Sequence, residues 1–135
     1  HTSYEIVDEN KKILGCRKAE KDTNFKKLIN SCDIGLSTVI VNRTVFDNSE
    51  HRFVNIKTKE DYELWLRIAK KKYKLGGANK FLTCYRVRSN SLSTNHLNKL
   101  MNALKIYNKY NNFGMIKSIL YVIRLYNNAF MKKYL

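Results

Sequence analysis

Apolar positions change their period twice along the chain, and the changes predict its elements. Alternation over Ser3 to Val7 predicts a strand, Asp8-Glu9-Asn10-Lys11 a turn, and Lys12 to Arg17 a second short strand, together a hairpin. Phe25, Leu28 and Ile29 then fall at helical spacing behind Thr23 or Asn24, which predicts a short helix over Asn24 to Asn30. Leu36 to Val41 is rich enough in β-branched residues for a buried strand, and Arg43 to Arg52 reads as an irregular, mobile loop. Lys59 to Lys72 predicts a helix with Thr58 at its N-cap, Glu60 and Asp61 in its first turn, and Trp65, Ile68 and Ala69 facing inward. Tyr73 to Ala78 and Phe81 to Arg88 read as two strands divided by Asn79-Lys80.

From Ser93 onward the period is helical. Leu97, Leu100, Leu104 and Tyr107 form one apolar stripe, Asn111-Asn112 breaks it, and a second helix runs from about Phe113 to Lys133. On that last helix Ile116, Ile119, Leu120 and Ile123 share one side, while Lys117, Tyr121, Arg124, Asn128 and Lys132 make a basic polar stripe. The order predicts an α/β chain, residues 1–94, with a helical extension over residues 95–135.

Length and charge sharpen this picture. The 135 residues, 44% hydrophobic and 12% aromatic, suffice for a globular core. Residues 1–63 carry 11 basic and 11 acidic side chains, whereas residues 64–135 carry 15 basic ones and no acid, the whole of the +15 net charge. Such a half suits an anionic partner: nucleic acid, a phosphate-bearing substrate or the anionic leaflet of a membrane. Cys16, Cys32 and Cys84 are odd in number and lack a C-x-x-C pair, so they predict reduced thiols, neither a disulfide framework nor a zinc site. With no leader-like opening and no apolar run long enough to span a bilayer, the expected location is cytoplasmic, peripheral to the inner face of the membrane.

The candidate chemistry lies at the mouth of the central helix. Acids in a first turn usually cap it and a Trp at helical spacing is usually core, so Glu60, Asp61 and Trp65 alone signal little. The wider pattern says more. Glu60-Asp61-Tyr62-Glu63-Leu64-Trp65-Leu66-Arg67 is followed by the apolar Tyr73-Lys74-Leu75-Gly76-Gly77, by Leu82-Thr83-Cys84-Tyr85-Arg86, and by Ser89-Asn90-Ser91-Leu92-Ser93. In this it resembles the second half of the family 2 glycosyltransferases of the GT-A fold. Upstream, Thr2 to Asn10 looks like the strand and turn after that family's metal motif, and Ile34 to Arg43 like its acceptor-side strand.

The resemblance, which covers roughly residues 2 to 94, implies an inverting transferase that moves a sugar from a nucleotide-sugar donor to a polysaccharide or lipid-linked acceptor. Asp61 would be the general base and Glu60 its neighbour. Trp65, Arg86, Arg88 and Ser37 would bind substrate, with the arginines on the diphosphate. Arg88 stands where the family often has His. A divalent metal, Mn or Mg, is also implied, yet no Asp-x-Asp occurs in the chain. The expected fold is therefore an incomplete GT-A unit without its Rossmann-like N-terminal half, inactive alone and prone to self-association through exposed edges. The competing reading is a noncatalytic basic domain that binds nucleic acid or a membrane surface. No nucleic-acid-binding motif supports the first, and it would leave the acidic pair without a role.

Overall fold

The computed structural model describes residues 1–47, 49–88 and 96–134. Strands β1 (Thr2–Val7) and β2 (Ile13–Arg17) form the expected hairpin, closed by Asp8, whose Oδ1 accepts from the backbone N–H of Asn10 (2.9 Å) and Lys12 (2.8 Å). Lys11 takes a left-handed conformation, φ 67°, to complete the turn. β3 (Asp22–Thr23), helix α1 (Phe25–Leu28), helix α2 (Glu60–Lys70), β4 (Leu75–Gly76), β5 (Ala78–Arg86), helix α3 (His96–Lys105) and helix α4 (Met115–Tyr134) follow. β1 lies at the centre of a mixed sheet, antiparallel to β2 and parallel to β5, with Tyr4 opposite Thr83 and Val7 opposite Arg86. β3 and β4 form a separate two-stranded ladder. Where β4 meets β5, a Cβ on Gly77 would lie 2.3 Å from the Glu20 carbonyl oxygen, which restricts that position to glycine.

α2 is the core. Tyr62, Leu64 and Leu66 are fully inaccessible and Trp65, Ile68 and Ala69 nearly so. Leu28, Ile29, Ile34 and Val45 cover it from the front of the chain, and Ala103, Ile106, Tyr107, Val122 and Leu125 from the back, in one apolar cluster. Two tyrosines fasten this meeting. The Tyr62 hydroxyl lies 2.8 Å from the Leu28 carbonyl and 2.9 Å from the Tyr107 hydroxyl, itself 2.9 Å from the Ile29 carbonyl. Burial pushes both phenols above their usual range, so both stay protonated donors.

Several expectations are corrected. Leu36 to Val41 is not a buried strand: Leu36–Thr38 is a short 3-10 turn, Thr38 Oγ1 donates to the Gly35 carbonyl (2.8 Å), and Ile40 is 95% exposed. Both edges of β1 are already taken, so this β-branched run finds no strand beside it there, and its hydroxyl satisfies the backbone locally. Part of the stretch expected to be irregular, Arg43–Phe46, is a 3-10 helix, and His51 beyond it is buried. Thr58 does not cap α2. Lys59 occupies that position in a left-handed conformation, φ 65°, and Thr58 Oγ1 instead accepts from Asn102 Nδ2. Asn79-Lys80 does not divide two strands, because Asn79 Oδ1 accepts from buried Ser3 Oγ (2.9 Å) and β5 runs through.

The helical pair departs from its expected faces in part. Of the expected α3 stripe, Leu97 is 75% exposed and Leu100 exposed, whereas Leu104 packs on the core and Tyr107 is buried, joined there by Asn102, Ala103 and Ile106. Ile106–Tyr110 is a π-helical turn, which widens the helix and changes its phase. On α4 the buried residues are Ser118, Val122 and Leu125, while Ile116, Ile119, Leu120 and Ile123 point outward. The segment Ser89-Asn90-Ser91-Leu92-Ser93, at whose end the helical period is expected to begin, lies outside the described residues.

Candidate functional site

The first turn of α2, the Cys32 to Thr38 segment and the end of β5 enclose a cleft of about 400 Å³. Asp61, Ser37 and Arg86 all line it, together with Tyr4, Cys32, Thr83, Cys84 and Tyr85. The parallel pairing of β1 with β5 brings Tyr4 and Tyr85 to one wall, ring centroids 6.2 Å apart at 60°. Gly35 allows this wall to close on the turn, since a Cβ there would sit 3.2 Å from the Tyr4 ring.

Asp61 is half-buried, and its Oδ1 accepts from the Tyr62 backbone N–H at 2.7 Å. Burial raises its pKa, and the negative charge of Glu60 adds to the rise; the Tyr62 hydrogen bond and the Lys59 cation oppose it without cancelling it. A carboxylate held this way has more appetite for a proton than a solvated one, the property a general base needs. Burial also pushes the Cys32 thiol up to about 11 and the Tyr4 phenol to about 12. Both are protonated at neutral pH, so neither competes with Asp61 as a base. Arg86, exposed at the end of β5, offers a planar fork suited to a diphosphate.

The other residues singled out in the sequence stand elsewhere. Trp65 is 3% exposed, in the core, beside a smaller cavity lined by Ile34, Val39, Val45 and Ile68. Glu60 is half-buried and Arg88 exposed, and neither lines the cleft. The Tyr4 and Tyr85 wall had no local signal, because it arises from strands almost eighty residues apart. Among the described residues Asp61 is the one carboxylate of the cleft, and no three His, Cys, Asp or Glu side chains gather to hold a metal. The residues present therefore do not fit the implied divalent ion.

Comparison with known proteins gives this geometry a context. The β-1,3-glucosyltransferase WfgD of Escherichia coli, whose name specifies UDP-Glc and α-D-GlcNAc-diphosphoundecaprenol, is 35% identical over 100 residues, 73% of this chain and 38% of WfgD. WfaP of the same organism, named for the same reaction, is 35% identical over 89 residues, 66% of this chain and 34% of WfaP. These relatives are glycosyltransferases. A third, TuaG of Bacillus subtilis, named as a teichuronic acid biosynthesis glycosyltransferase, is 24% identical over 115 residues, 85% of this chain and 45% of TuaG. The chain thus spans between about a third and somewhat under half of these glycosyltransferases. No family model matches it, and no solved structure is significantly similar.

Proposed function

We propose that this chain is the acceptor-side part of a family 2, GT-A inverting glycosyltransferase. The longer protein would transfer a sugar from a nucleoside diphosphate to a lipid-linked saccharide. The observation that carries the reading is the cleft lined by a carboxylate of raised proton affinity, Asp61, together with Arg86 and Ser37. Similarity to glucosyltransferases named for a diphosphoundecaprenol acceptor supports the substrate class.

In this reading the acceptor hydroxyl lies against Asp61, which takes its proton as the oxygen attacks the anomeric carbon. Arg86 receives the departing diphosphate, and the Tyr4 and Tyr85 rings flank the acceptor and keep water from it. The exposed apolar side chains of the sheet outside the cleft, among them Ile13, Leu14 and Leu82, would meet the donor-binding half. A divalent metal, if the enzyme uses one, would take its ligands from that half.

Attack of the acceptor oxygen on the anomeric carbon, with Asp61 as the base, is one displacement and inverts that centre. The longer protein, given an α-linked nucleotide sugar and a lipid-diphosphate saccharide, should therefore form a β linkage, read from the anomeric proton coupling of the product. An α-linked product would overturn the inverting assignment.

A further inference from the structure

We infer that α4 is an interfacial helix whose outer apolar face lies in an anionic lipid surface. The inference rests on the two faces of this helix and goes beyond the transferase reading.

The inner face is already committed. Ser118, Val122 and Leu125 are buried against the body, Asn128 Nδ2 donates to the Asn30 carbonyl (2.8 Å), and Lys132 pairs with Asp33, to which Ser31 Oγ also donates (2.6 Å). These bonds lay a helix of 20 residues, roughly 30 Å at 1.5 Å per residue, along the surface of the protein and fix its rotation. What faces outward is apolar: Ile116 is 79% exposed, and Ile119, Leu120 and Ile123 are about half exposed. Successive 100° steps put these four on one side, opposite Ser118, Val122 and Leu125. On the neighbouring α3, Leu97 and Met101 are exposed as well.

Charge selects the partner. Lys117 and Arg124 flank the apolar face on one edge, each beside an aromatic ring, Phe113 at 4.6 Å and Tyr121 at 5.9 Å. No acid occurs anywhere in residues 64–135. A second copy of the chain would bring its own basic edge and +15 charge against this one and be repelled, whereas an anionic leaflet is attracted to it. No helix among the described residues is long and apolar enough to cross a membrane, so α4 would lie in the headgroup layer rather than span it.

The test is co-sedimentation of the chain with phosphatidylglycerol vesicles and with phosphatidylcholine vesicles, alongside its sedimentation velocity without lipid. Binding to phosphatidylglycerol only, weakened by salt, is expected. The triple substitution Ile116→Gln, Leu120→Gln and Ile123→Gln should lower the partition constant by about tenfold or more, since the apolar insertion is lost. Lys117→Gln and Arg124→Gln, which each remove one cation, should lower it by roughly fivefold each. The Gln side chains replace exposed residues and keep helix propensity, so the far-ultraviolet circular dichroism and melting temperature should not change. Equal binding to both lipids, no binding to either, or undiminished binding of the triple variant would each overturn the inference. A dimer abolished by the triple substitution, with no vesicle binding, would assign the face to a second copy instead.

Discussion

Replacing Asp61 with Asn in the longer protein is expected to lower glycosyl transfer by about a hundredfold or more while leaving the fold as stable as before. The two halves of this expectation have one cause. Burial raises the Asp61 pKa, so the folded protein holds the proton more tightly than the unfolded chain does. The stability lent by the protonated acid is full below the unfolded pKa and is lost as pH rises through the folded one. At neutral pH the ionised carboxylate is thus a strained guest of the fold. Asn carries no charge to desolvate and still accepts from the Tyr62 N–H through its Oδ1, so its melting temperature should equal or exceed that of the wild type. Steady-state turnover and a thermal melt check the two halves. A folded variant with wild-type turnover would remove Asp61 from the chemistry.

The largest expected loss of stability comes two residues further along α2. Glu63 is 2% exposed, and its carboxylate meets the Arg67 guanidinium, with Arg67 Nε donating to Oε1 at 3.1 Å; Arg67 also donates to the Arg52 carbonyl at 2.8 Å. Removing one partner of a buried pair leaves the other charge uncompensated, at a cost of about 3 kcal/mol, near the low end because Arg67 keeps 24% exposure. For a chain of this size Glu63→Ala should then lower the melting temperature by about 10 °C. Adding Arg67→Ala should cost less than the sum of the two single changes, because the charge left stranded by the first is removed by the second. Denaturant melts of all three variants measure this. A Glu63→Ala variant within about 0.5 kcal/mol of wild type would mean the pair is ordinary surface electrostatics.

Local signals account for what the sequence made legible. The hairpin follows from alternation around Asp8, and α2 from its run of inward positions. Asp61, Ser37 and Arg86, singled out from separate segments, meet in one cleft, but the Tyr4 and Tyr85 wall depends on a parallel pairing that no short window encodes. Leu36 to Val41 misled because β propensity needs a partner strand. α4 misled in an instructive direction. Periodicity reports where the apolar stripe is, not which face the body takes. The body took the side that carries Val122 and Leu125, with Asn128 bonded to the Asn30 carbonyl and Lys132 paired with Asp33 at its margin. Lys132, read as part of a basic polar stripe, is instead paired with Asp33.

The central claim, that Asp61 is the base of a glycosyl-transfer cleft, is tested most directly by the pH dependence of turnover in the longer protein. Turnover should fall on the acid side through a group titrating above the usual carboxylate range, as the raised pKa of Asp61 requires, and the residual activity of Asp61→Asn should lack that limb. An Asp61→Asn enzyme with the wild-type rate and the same acid limb would contradict the account.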